Sequence, residues 1–150
     1  MKVWIGLLVL LVGGAAWAAD VKVVPKEVLT WYDDAMGMYV GLNKGLDGAK
    51  TAADASKALK KGTSDIKTGK LAPRYKTLKA KYPHFFDSQD DTTWVPPPDW
   101  TAVAQKYGKT LSNFSQGFQK IAGWMQDESL AVALQEFSEA AGEIGGDSAS

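Results

Sequence analysis

Apolar side chains recur every third or fourth residue in four separate stretches of this chain, a period that builds helices and leaves no stretch for a half-buried strand. In the first stretch Val28, Tyr32, Ala35, Tyr39, Leu42 and Leu46 line one face, and Pro25 stands where a first-turn proline is tolerated, so a helix starting near residue 25 is predicted. The second runs from Ala53 to Tyr82, with Ala55, Leu59 and Ile66 on one stripe and Leu71, Tyr75, Leu78 and Tyr82 on the next. Gly69 and Pro73 lie where the stripes fail to join, which predicts a kink or break near Pro73. The third follows Pro96-Pro97-Pro98, with Asp99 as its expected N-cap and Trp100, Ala104, Tyr107, Leu111, Phe114, Phe118, Ile121 and Met125 in heptad steps. The fourth opens near Asp127 and carries Leu130, Ala133, Phe137, Ala140 and Ile144 to Gly145-Gly146. Residues 147 to 150 read as a frayed tail.

Four amphipathic helices bury their stripes most simply as an all-α, up-down-up-down antiparallel four-helix bundle over residues 19 to 146, with a long loop between helices 2 and 3. Charge agrees with that arrangement. Residues 44 to 82 carry eleven basic and three acidic side chains, whereas residues 123 to 150 carry six acids and no base, so helices 2 and 4 should attract one another.

The N-terminus supplies an address. Lys2 precedes an apolar run from Val3 to Val12, Gly13-Gly14 interrupts it, and Ala16-Trp17-Ala18 places small residues at the two positions that a signal peptidase reads. Residues 1–18 are therefore expected to be a signal peptide cleaved after Ala18, giving a periplasmic or secreted protein. Uncharged residues run only from Val3 to Ala19, the lower edge of the ~17–25 that span a bilayer, so membrane attachment is expected only through an uncleaved signal peptide.

Loss of Lys2 with that peptide leaves 16 basic against 17 acidic residues, too even a balance for nucleic acid to be an expected partner. The chain has no cysteine, which removes thiol chemistry, iron–sulfur clusters and covalent haem, and leaves packing alone to hold the fold.

Two places stand out as candidate sites. On helix 1, Gly37, Gly41, Gly45 and Gly48 fall opposite the core stripe, flanked by Trp31 and Met38. Each interior glycine costs about 0.8–1 kcal/mol relative to alanine. Either the helix ends near Gly41 and the later glycines belong to a loop, or the small face admits a close-packed partner such as a second copy or an envelope protein. Trp31, Gly37, Met38, Gly41 and Gly45 would then form the partner site. The second place is the segment Pro83 to Pro98, longer than most connections in a bundle, with His84, Phe85, Phe86, Asp87 and Trp94 as its distinctive residues.

His84, Asp87, Asp90 and Asp91 match no calcium-loop spacing, and a lone histidine makes no zinc set, so no metal is expected. A hydrolase would have to use His84 with a serine such as Ser88, yet no nucleophile elbow surrounds any serine. Phe85, Phe86 and Trp94 are expected to fold back over one end of the bundle.

In export, helix count and longer middle loop the layout resembles the exported four-helix cytochromes of the b-type and c-prime families. Those families place a histidine ligand in the last helix, and the c-prime type also uses Cys-x-x-Cys-His. Here the last helix has no histidine, and Met36 and Met38 read as packing, so no cofactor is expected. The sequence reading is thus a non-catalytic binding or scaffolding protein. The alternative is a carrier holding an apolar or planar ligand among Tyr32, Tyr39, Tyr107, Phe114 and Phe118.

Overall fold

A computed structural model describes residues 22–87 and 93–145. Their regular structure is all α, in five helices: α1 (Lys26–Asp47), α2 (Ala52–Lys67), α3 (Leu71–Lys81), α4 (Pro98–Ile121) and α5 (Glu128–Gly142). Single 3-10 turns occupy Pro83–Phe85 and Ala122–Trp124. The proposed signal peptide, Ser88, Asp90, Asp91 and the tail from 147 lie outside the described residues.

The ends of the helices follow local chemistry. The Thr51 hydroxyl accepts from the Asp54 N–H at 3.2 Å while the Asp54 carboxylate accepts from the Thr51 N–H, a capping box that opens α2. Asp127 caps α5 by accepting from the Leu130 N–H at 3.1 Å. Asp99 does not play that part for α4. Pro97 precedes the first turn, Asp99 sits inside it, and its carboxylate instead accepts from the Val24 N–H at 3.3 Å, tying the approach to α1 onto the start of α4.

The expected single helix over 53–82 is two helices, and the discontinuity is not a kink at Pro73. It falls at residues 68–70. A side chain at Gly69 would collide with the Asp65 carbonyl, and Lys70 takes a left-handed backbone with φ 68°. Pro73 belongs to the first turn of α3, where its missing N–H would have had no helical partner.

Helix directions can be read from which residues meet. Against α1, α2 and α3 run antiparallel: Gly45 faces Ala58, Leu42 faces Gly62, the Trp31 indole N–H donates to the Leu71 carbonyl at 3.0 Å, and Lys81 reaches Glu27. Helix α4 runs parallel to α1. Tyr32 meets Trp100 and Tyr107, Tyr39 meets Tyr107 and Phe114, Asn43 lies against Gly117, and Asp47 pairs with Lys120. Helix α5 runs parallel to α2, with Ser56 on the Ser129 carbonyl and Gly62 beneath Phe137. The most extensive contacts are thus between parallel helices distant in sequence, α1 with α4 and α2 with α5. A simple up-down-up-down ring would instead give its antiparallel neighbours the largest contacts.

The core is one cluster with an aromatic spine. Rings of Tyr32, Tyr39, Tyr107, Phe114, Phe118 and Phe137 follow one another with centroids 4.7 to 6.4 Å apart, the range in which edge-to-face and tilted pairs attract. No described helix is long and apolar enough to cross a membrane.

Candidate functional site

Helix α1 is unbroken to Asp47, so Gly37, Gly41 and Gly45 all lie in its interior and the alternative of an early end near Gly41 is set aside. Their surroundings differ. At Gly37 and Gly41 a methyl group would meet nothing within 4 Å, whereas at Gly45 it would lie 2.9 Å from the Ala58 Cβ. Gly45 thus belongs to the close approach of α1 and α2. Gly48 is the C-cap.

The two large residues assigned to that face are elsewhere. Trp31 is 1% exposed and Met38 is 8% exposed, both within the core. A helix packed on one side by α4 and on the other by α2 and α3 buries more than one stripe, and these residues fill the extra width. Of the residues assigned to that face only Gly37 and Gly41 remain outward, beside Val40, 58% exposed, and the exposed charges Asp33, Asp34 and Lys44.

Residues 83–87 and 93–98 close one end of the molecule. Phe85 is buried against Trp94 and Trp100, and its carbonyl accepts a 2.5 Å hydrogen bond from the Tyr32 hydroxyl. Phe86 packs among Trp31, Tyr32 and Tyr75. His84 stacks on Trp94 with centroids 5.3 Å apart and rings within 10° of parallel. Asp87 is half-buried and pairs with Lys79 at 2.6 Å, which, with the Tyr75 ring beside it, holds the Lys79 ammonium above its ordinary pKa. His84, Phe85, Phe86, Asp87 and Trp94 are therefore brought to one end, while Gly37 and Gly41 sit on the outer side of α1.

A polar strip along α1 and α3 escaped the sequence reading. Glu27 accepts from both the Lys81 ammonium and the Tyr82 hydroxyl at 2.6 Å, and these two hydrogen bonds hold its carboxyl below the usual range. Arg74 reaches Asp34 at 2.6 Å. Shallow open grooves of about 520 and 290 Å³ flank Arg74, bordered by Pro25, Thr30 and Tyr82 on one side and by Lys70, Pro73 and Leu78 on the other. Pairs 40 and 54 positions apart leave no local signature; only the antiparallel register of α1 and α3 discloses them.

Burial raises the phenols of the spine. Tyr39 is pushed up to about 12, and Tyr32 and Tyr107 are raised further, all chiefly by loss of water. Neutral throughout the ordinary pH range, they act as packing and hydrogen-bonding groups. Among the described residues no group of three or more His, Cys, Asp or Glu side chains is placed to hold a metal ion. Comparison with protein families, with curated proteins and with solved structures finds no match, so the functional reading rests on the chain's own residues.

Proposed function

We propose that the chain is an exported, non-catalytic helical-bundle protein that binds a protein partner through its surface. In this reading the signal peptide is removed after Ala18, and α2 with α3 forms one of four rods alongside α1, α4 and α5. The binding surface is the outer side of α1 around Gly37, Val40 and Gly41.

The observation that carries the reading is the pair of exposed glycines in the middle of an intact helix, where a methyl group at either would touch no neighbouring element. A helix free in water would gain about 0.8–1 kcal/mol from alanine at each. Glycine there permits a partner helix to approach the α1 backbone closely, and Val40 offers it an apolar contact. The filled aromatic spine supports a surface role over an interior one, because Tyr32, Tyr39, Tyr107, Phe114 and Phe118 are occupied with each other.

Native mass spectrometry of the protein purified from an exporting host tests this. The expected spectrum has a polypeptide beginning at Ala19 with no retained small molecule. Added mass that denaturation releases would overturn the reading in favour of a ligand carrier, and a retained N-terminus would overturn cleavage.

A further inference from the structure

Helix α2 presents Lys57, Lys60, Lys61 and Lys67 to solvent. At ~100° per residue they occupy about a third of its circumference, opposite Ala55, Leu59 and Ile66. Helix α5 presents Glu128, Glu136 and Glu139, with its C-cap Glu143 beyond them, and the same projection puts them on the flank of Ser129, whose carbonyl accepts from Ser56 of α2. A lysine stripe and a glutamate stripe therefore lie side by side on one face, along two parallel helices. Lys60 and Glu128 border one shallow groove of about 450 Å³ with Asp127, Ser129 and Val132, the last 47% exposed.

The stripes do not neutralise each other within the molecule. Among the described residues no ion pair joins α2 to α5, and of the four lysines only Lys61 has a partner, Asp65 of its own helix. On α3, by contrast, Lys79 and Lys81 are both paired across to other segments.

We propose that this face pairs two copies of the chain about a two-fold axis parallel to α2 and α5. Rotation by 180° about such an axis exchanges left and right, so each copy's lysine helix faces the other's glutamate helix, and the surface is complementary to itself. With 16 basic and 17 acidic residues after loss of Lys2, the chain carries almost no net charge to oppose the encounter. Two short helices offer less than the ~1,200 Å² of a standard interface, so the dimer is weak and sensitive to salt. The pairing goes beyond the proposed binding function and does not use the outer side of α1.

Sedimentation of the purified protein over a concentration series, at ~20 mM and ~500 mM salt, tests it, since screening shortens from over 20 Å to a few ångströms across that range. The expected mass rises toward a dimer at low salt and returns to the monomer at high salt. The triple variants K57E/K60E/K67E and E136K/E139K/E143K, each checked for helicity by circular dichroism, should be monomeric alone and should pair when mixed, because one then presents two acidic stripes and the other two basic ones. Mixing the second variant with K26E/K106E/K109E supplies the same net charges without a matching face and should give no pairing. A low-salt monomer at every concentration, or a mixture that stays monomeric, overturns the proposal. So does wild type that remains monomeric but binds anionic vesicles through the lysine stripe. Pairing that survives in Gly37→Ala/Gly41→Ala places the surface away from α1, and pairing lost there overturns the assignment to α2 and α5.

Discussion

At the scale of single residues the glycines give the sharpest discrimination. Gly37 and Gly41 have open space where a side chain would go, whereas at Gly117 a methyl group would run into the Asn43 amide oxygen, which is buried without a hydrogen-bond partner. Alanine at Gly37 and Gly41 should each raise stability by about 0.8–1 kcal/mol in urea unfolding, from helix propensity alone. Alanine at Gly117 should fall short of that gain, since the Asn43 side chain must turn aside to admit the methyl group. A loss of stability at Gly37 or Gly41 would mean that the face is already covered within the molecule. The sequence showed all these glycines alike. It disclosed their period, but which were covered depended on where α4 and α2 lay, and a helix approached from two sides leaves only a narrow outward strip. For the same reason Trp31 and Met38 could be placed off the main stripe but not recognised as core.

At the scale of elements, the break between α2 and α3 and the caps of α2 and α5 control how the helices begin. Lys70 holds a left-handed backbone that costs a non-glycine residue about 1 kcal/mol, so Lys70→Gly should recover up to that amount despite glycine's larger unfolded-state entropy; thermal unfolding measures the difference. A loss on that substitution would show that the Lys70 side chain contributes more than its strain. Asp54 is held below its ordinary value of 3.8 by the Lys50 N–H and the Thr51 hydroxyl, and Asp127 by the Ser129 hydroxyl and the Leu130 N–H. Folded-state values depressed in this way add stability that is complete above about pH 5 and disappears as pH falls through 3.8 and the folded values below it. The doubly substituted Asp54→Asn/Asp127→Asn protein should therefore lose less stability than wild type between pH 5 and pH 2. An identical acid profile would place the sensitivity elsewhere, with Glu27 the next group to change. Helix periods, the start of α5 near Asp127 and an interruption between Gly69 and Pro73 were legible in the sequence, whereas the cap expected at Asp99 was not, because its carboxylate turns to the Val24 N–H. The position of the left-handed residue was not, because nothing in a lysine advertises that conformation.

At the scale of the molecule, α1 and α2 form a central antiparallel pair, and each carries one outer helix parallel to itself. That asymmetry was hidden, since the choice between antiparallel sequence neighbours and parallel distant ones turns on how the aromatic rings interlock. It also has a dynamic consequence. Helix α1 buries nine residues spread from Val28 to Leu46, while α4 buries only Phe114, Gly117 and Ile121, all in its second half. The first half of α4 is held by half-buried Trp100, Val103, Tyr107 and Leu111, and by the contact of Asp99 with Val24. Local opening follows buried contact, so amides of residues 101–111 should exchange with solvent well before those of residues 31–42, with α2 and α5 between. Hydrogen exchange followed by mass spectrometry reads this order directly. Tyr107→Ala should speed exchange in the first half of α4 further while leaving the α2–α5 pair protected, because Tyr107 contacts Tyr32 and Tyr39 of α1. Equal acceleration in α5 would instead mean that the aromatic spine unites all the helices into one cooperative unit, with no separable outer helix.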